Sequence, residues 1–341
     1  MQLCKRERSQ YTLGLTLAFG TLLVTGTYNS LAKGLMPFLS PMSLLVLSEA
    51  LTGVFVIATF GLVPLLREFM KLDGKSLRMC IVIGLLNSAV APLLWFTGLA
   101  RTSAVNASIL SSVDIIFILI FGYFLMREKI ERMRLIGAGV VVSGIFVISL
   151  ASFGEPISMH IGDLFILAGA MVFALGAVLF KKYLSHVMPE LEILIRNVVG
   201  VTTVIVVSVL MGYTFVEEVV AFPARKILLL LAFAFFARYL NLTFFYEALE
   251  RLPVTTFSLI MIASPLSGLL SAVIILGESV QPYQMLGAVV IVFGLLLEQC
   301  SLQALESLHH RWSFLHFPFR KPVQATQTVR ILSKAGMGIA R

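Results

Sequence analysis

The sequence predicts an all-α membrane protein of ten transmembrane helices, built as two five-helix halves of opposite orientation. Three observations predict it. Of the 341 residues, 58% are hydrophobic and 13% charged, against about 45–50% and about 25% in soluble domains. Apolar runs long enough to span a bilayer, about 20 residues each, recur between short polar breaks. The chain also repeats itself. A shift of 150 residues lays Leu99, Arg101, Leu119, Glu128, Gly137 and Gly144 on Leu249, Arg251, Leu269, Glu278, Gly287 and Gly294. A shift of 148 matches Gly14, Lys33 and Pro41 to Gly162, Lys181 and Pro189. Because five is odd, consecutive halves enter the membrane in opposite senses. Secondary transporters are often built this way, with the substrate near the midplane where the halves meet.

The first expected span, 13–32, follows Lys5-Arg6-Glu7-Arg8 and is too long, with no small-x-small cleavage site, to read as a signal peptide. The second, 41–66, encloses Ser48-Glu49 and leads to the turn Lys71-Leu72-Asp73-Gly74. The third, 77–99, carries Asn87, Ser88 and Trp95, and the fourth, 103–126, carries Asn106 and Asp114. The fifth, 134–152, closes the first half before Phe153-Gly154-Glu155-Pro156. In the second half the spans are 161–180, 189–211 with Arg196-Asn197, 226–248 with Arg238 and Asn241, 253–276 with Ser264-Pro265, and 282–300. They read as helices because backbone in lipid must satisfy its own hydrogen bonds, and ten-residue stretches of alternating polarity are absent. The expected domains are an N-terminal segment 1–12, repeats 13–152 and 161–300, and a basic tail 301–341.

Basic residues are retained on the cytoplasmic side of a membrane. With the N-terminus inside, 20 of the 26 Lys and Arg fall in the cytoplasm and only Lys33, Arg101, Arg225 and Lys226 fall outside. Arg196 and Arg238 lie within spans. An even number of spans then places both termini in the cytoplasm, for a multi-pass protein of the inner cell membrane. Of the net charge of +8, the two ends supply +7, so the surplus serves topology and nucleic acid is excluded as a partner. Cys4, Cys80 and Cys300 have no paired spacing, so neither a metal site nor a disulfide framework is implied. HExxH, GxSxG and P-loop patterns are absent, so no catalytic residue, cofactor or ATPase machinery is expected and the protein reads as a non-enzyme.

Leu99-Ala100-Arg101-Thr102-Ser103, the Arg127-Glu128-Lys129 end of the fourth span, and Gly137 and Gly144 form one motif set. Ala248-Leu249-Glu250-Arg251-Leu252-Pro253, Ser264-Pro265, Gly277-Glu278, Gly287 and Gly294 form its counterpart. In these residues, and in Arg196 within the second helix of a repeat, the chain resembles the EamA-type proteins of the drug/metabolite transporter superfamily over residues 12–300, about 85% of its length. The resemblance implies a ten-helix, inverted-repeat carrier of small metabolites. The chain departs from internal symmetry at Asp114, opposite Ser264, and at Ser48-Glu49, opposite Arg196-Asn197.

Glu49, Asp114, Arg196 and Arg238 lie deep in apolar runs. A charge facing lipid at mid-membrane costs roughly 2.5–3.5 kcal/mol, so these face the interior. Two acids from one half and two arginines from the other make a neutral cluster, which reads either as internal ion pairs fixing the packing or as a ligand site. As a site it suits a zwitterion, with an acid meeting an ammonium or sulfonium and an arginine gripping a carboxylate. Amino acids, or an amino-acid-bearing compound such as S-adenosylmethionine, are the expected substrates. Glu49 and Asp114 are the candidates for proton coupling, since desolvated carboxylates shift toward neutral pH. Asn87, Asn241, Trp95 and Tyr28 complete the expected binding set, although Trp95, near a span end, also reads as an interfacial anchor. Glu278 and Glu128 read as turn or helix-cap residues. The expected partners are a small-molecule metabolite, the lipid bilayer and a second copy in a homodimer. Two other readings remain open at this stage: a lipid or lipid-linked-sugar translocase, and a membrane scaffold without transport.

Overall fold

The computed structural model describes residues 2–127, 132–151, 157–213, 215–252 and 254–313, and among these every regular element is a helix. Glu128, the turn at 153–156 and the tail beyond 313 lie outside the described residues. In chain order the helices are α1 (Gln2–Leu35), α2 (Pro41–Phe60), α3 (Leu62–Phe69), α4 (Gly74–Leu99), α5 (Ala104–Met126), α6 (Arg132–Ala151) and α7 (Ile157–Tyr183). They continue as α8 (Pro189–Leu210), α9 (Phe215–Ala221), α10 (224–251), α11 (Val254–Met261), α12 (Ser264–Leu276) and α13 (Pro282–Ser313).

Local chemistry sets the boundaries. The Ser40 hydroxyl accepts from Ser43 N–H at 3.3 Å at the start of α2, with Pro41 in the first turn. Asp73 accepts from Lys75 N–H at 3.2 Å ahead of α4, and Ser103 from Asn106 N–H at 3.0 Å ahead of α5. Each fills one of the donors a helix start leaves unpaired. At the opposite ends the backbone turns left-handed, at Arg127 (φ 56°) after α5 and at Gly277 (φ 69°) after α12. These two positions are one repeat apart, and Gly61 (φ 78°) and Gly212 (φ 67°) give positive-φ ends to α2 and α8 as well, three residues out of the 148-residue register of those helices. The duplication thus extends from side chains to backbone.

Six stretches among the described residues are long and apolar enough to cross a membrane: Pro41–Phe60, Gly74–Leu99, Ala104–Met126, Ile161–Tyr183, Pro189–Leu210 and Ala224–Phe245. Leu135–Ile148, Ser264–Leu276 and Pro282–Leu297 are apolar but shorter. The ten expected spans therefore differ in strength, for physical reasons. The middle of α1 is diluted by Thr21, Thr25, Thr27, Tyr28, Asn29 and Ser30, while the ninth span is split into α11 and α12 just ahead of Pro265. In α13, Met285, Val289 and Phe293 point outward, 56–61% exposed, while Ala288, Ile291 and Leu295 are at most 2% exposed. A helix apolar on both faces is stable only if its outer face meets lipid.

The packing is reciprocal. α1 packs on α10 as α7 packs on α4, α1 on α12 as α7 on α5, and α2 on α10 as α8 on α4. α2 with α8, and α6 with α13, pack across equivalent surfaces. The α6–α13 contact is the most extensive and turns on the four repeat-matched glycines. A Cβ on Gly287 would lie 3.2 Å from Gly144 O, and one on Gly294 would lie 2.8 Å from Gly137 O. Only small residues allow that approach.

Candidate functional site

The site begins with a distortion of two helices. In α4 the backbone widens into a π-helical segment at Leu85–Val90, and in α10 into another at Phe233–Leu240, again one repeat apart. A π turn inserts an extra residue and rotates its neighbours out of α register, which commonly occurs at functional sites. Here the first segment delivers Asn87 and Ser88 to the interior and the second delivers Arg238.

Arg238, 8% exposed, reaches α2 and pairs with Glu49, which has no exposed surface. Its Nη2 donates to Glu49 Oε1, and its Nη1 donates to Ser48 Oγ at 3.0 Å. The Asn197 amide on α8 satisfies its surroundings with its nitrogen donating to Glu49 Oε2 at 2.5 Å and to Ile193 O at 3.2 Å. Both carboxylate oxygens are therefore engaged, by two elements of the opposite half. Arg196 lies half-buried one turn above Glu192 on α8, its backbone against Gly84 of α4. Tyr28 of α1 is within the electrostatic reach of Arg238, Glu49 and Arg196 together. Its ring is stacked against Phe96 (6.2 Å) and meets the edge of Phe233 (5.2 Å).

The other expected residues fall around this centre. The Asn241 Oδ1 on α10 accepts from Thr25 Oγ1 of α1 at 2.8 Å. Asn87, 8% exposed, and Ser88, fully buried, keep Asn87 Oδ1 and Ser88 Oγ without a hydrogen-bond partner. Trp95, half-buried, donates through Nε1 to Asn29 Oδ1 at 2.9 Å, and Asn29 donates to Ser108 Oγ at 3.1 Å. Asp114 heads the part of α5 that follows a tight turn at Ser111–Val113 and is half-buried where α5 packs on α7. Glu278 accepts from Ala104 N–H and Val105 N–H, both at 3.0 Å, so it caps a helix of the other half.

Two buried acids were not singled out by the sequence reading. Glu192 is 2% exposed and feels the charges of Arg196 and Glu49. Its i, i+4 spacing to Arg196 was the available signal, obscured because an acid in a first turn normally reads as solvated and favoured by the helix dipole. Asp163, 6% exposed, accepts from Thr102 Oγ1 and from Asn106 Nδ2 at 3.4 Å, while Gln284 donates to Asn106 Oδ1 at 2.7 Å.

Two cavities approach this interior from opposite ends. One, of about 220 Å³, lies between α2, α8 and α10 and is lined by Thr52, Phe60, Glu190, Ile193, Tyr239 and Glu247. Thr52 is one turn from Glu49, and Tyr239 is next to Arg238. The second, of about 470 Å³, is lined by Lys33, Arg101, Thr102, Glu278, Tyr283 and Gln284 at the far end of α1 and α4. Lys33 Nζ donates there to the carbonyls of Leu99, at 2.7 Å, and Thr102.

The overall fold has a known counterpart. A solved crystal structure superposes with a TM-score of 0.58 at 17% identity, covering 85% of this chain and 95% of that one, which shows a common fold. An uncharacterized transporter of Methanothermobacter thermautotrophicus is 24% identical over 231 residues, 67% of this chain and 66% of its own length. A probable amino-acid metabolite efflux pump of Salmonella typhimurium is 28% identical over 197 residues, 55% of this chain and 65% of its own. The EamA-like transporter family matches twice, over residues 12–150 and 160–298. With the family covering both halves of a wholly helical, apolar chain, the protein belongs to the EamA-like transporter family and is a multi-pass membrane transporter.

Proposed function

We propose that the protein is a ten-span, inverted-repeat secondary transporter that exports small zwitterionic metabolites of the amino-acid type by alternating access. The observation that carries the reading is the buried Glu49–Arg238 pair, which joins the two halves beside a cavity. An ion pair excluded from water is a costly way to hold helices together, since an apolar pair of similar volume often serves as well. Inside a membrane such groups mark substrate paths. The reciprocal packing of α1–α10 with α7–α4 supports the inverted arrangement, and the amino-acid metabolite efflux pump among the relatives supports the substrate class and the direction. The excess of Lys and Arg on one set of loops supports cytoplasmic termini and the inner membrane as location.

The site offers an arginine surface for a carboxylate and acidic groups for an ammonium, with Tyr28, Asn87 and Asn241 as polar walls. Purified protein in liposomes, screened against labelled amino acids and their derivatives, tests this. Transport of at least one zwitterion is expected, with loss of at least tenfold in Glu49→Gln, Arg196→Ala and Arg238→Ala. Wild-type rates in all three well-folded variants would place the substrate elsewhere. Transport of a lipid or lipid-linked sugar, with none of a soluble metabolite, would replace the reading by a translocase.

A further inference from the structure

The cavity of about 220 Å³ between α2, α8 and α10 has a polar wall of one chemical kind, made by Thr52, Glu190, Tyr239, Thr243 and Glu247. Thr52 and Phe60, eight residues apart on α2, set its length at about 12 Å. Glu190 and Glu247 belong to the helix ends that form its mouth, while Thr52 and Tyr239 lie deeper, next to Glu49 and Arg238. Every lining hydroxyl has committed its proton to the protein. Thr52 Oγ1 donates to Ser48 O at 2.7 Å, Thr243 Oγ1 to Tyr239 O at 3.0 Å, and the Tyr239 hydroxyl to Thr59 Oγ1 at 2.6 Å. What these hydroxyls still offer is lone pairs. The two charged side chains of the wall are both carboxylates. Glu247 is paired with Arg251, which does not line the cavity, whereas Glu190, half-buried, has no ion pair among the described residues.

The lining side chains therefore accept hydrogen bonds and have no free proton to donate, which suits a group that only donates. An ammonium, with three donors and no acceptor, is such a group. The rings of Phe60 and Tyr239 add a surface for its cation and for the methylenes beside it. The same wall turns away a carboxylate, so an α-ammonium, whose carbon bears one, fits it badly. We infer that this cavity is a subsite for a terminal ammonium on a flexible chain, with Glu190 as its counter-charge, and that the carrier favours amino acids bearing a second ammonium at the end of the side chain. The inference rests on the amino-acid-transporter reading and narrows it. In a dibasic amino acid the distal ammonium meets Glu190, and the α-carboxylate stays outside the donor-free wall.

The test measures calorimetric binding of L-lysine, cadaverine and L-norleucine, which has lysine's chain without the distal ammonium, to purified wild type, Glu190→Gln and Glu190→Asp. Wild type is expected to bind lysine and cadaverine at least tenfold more tightly than norleucine. Glu190→Gln should bring lysine down to the level of norleucine and leave norleucine unchanged, and Glu190→Asp should keep part of the preference. Equal binding of lysine and norleucine by wild type, or an undiminished preference in Glu190→Gln, would overturn the inference. So would displacement of lysine by sodium at equal concentration, which would make the cavity a site for an inorganic cation. If Glu190→Gln does not fold, Glu190→Asp and the wild-type comparison decide. Proteoliposome transport separates the two readings. Neutral amino acids moved as fast as lysine would leave the transporter reading standing and remove this inference, whereas Glu190-dependent binding of cadaverine with no amino acid moved would do the reverse.

Discussion

At the scale of single residues, the Glu49–Arg238 pair makes the sharpest demand. Removing one partner leaves a buried charge without compensation, which costs about 3–5 kcal/mol. Arg238→Met alone should therefore lower the melting temperature of the purified protein steeply, and the double variant Glu49→Leu/Arg238→Met should recover most of it without recovering transport. Stability restored together with transport would show the pair to be packing alone. Ser88 poses the opposite case, because its hydroxyl is buried with no partner. Ser88→Ala is expected to stabilise by about 0.5–1 kcal/mol, read as a small rise in melting temperature. Individual residues were also where the sequence was hardest to read. Glu49 and Arg238 stand out because charge inside an apolar run has few explanations. Glu192 did not, since its burial depends on α2 and α4 closing over a helix start that looks solvated in isolation. Trp95 is a related case: nearness to a span end says nothing of the Asn29 side chain that accepts from its indole.

At the scale of elements, close approach is the controlling quantity. A Cβ on Gly98 would lie 2.6 Å from Gly162 O and 2.9 Å from Ile166 N, both backbone atoms of α7 that cannot step aside. Gly98→Val is expected to separate α4 from α7 and to cost at least about 1–3 kcal/mol, the range for overpacked interiors. Gly139 on α6 meets nothing within 4 Å. Gly139→Ala should be neutral or stabilising by up to about 1 kcal/mol, through helix propensity alone. Yield and monodispersity in detergent, followed by thermal unfolding, separate the two. Hydropathy marked where helices run, because spanning length and apolar content are sequence properties. It did not reveal the π segments at 85–90 and 233–240, since one added residue shifts a face by about 100° without altering composition.

For the whole molecule, the duplication was legible because gap-free matches such as Gly137, Gly144, Gly287 and Gly294 fall where the halves touch. The depth of the polar seams between the halves was not, because Thr25 with Asn241 and Asn106 with Gln284 join residues 216 and 178 positions apart. Orientation is testable at this scale. In a background with Cys4, Cys80 and Cys300 replaced, a cysteine at Ser279 should react with an impermeant reagent added to intact cells. One at Lys75 should react only after the membrane is opened. The reverse pattern would turn the molecule over and place its basic loops outside.

The paired π segments also bear on the history of the chain. An extra residue at the same turn of both halves is most simply one insertion that preceded the duplication. Glu49 and Arg238, which have Asn197 and Ser88 as their counterparts, are by contrast each present in one half only. The charged pair thus marks where the two halves differ, beside a widened helix that they share.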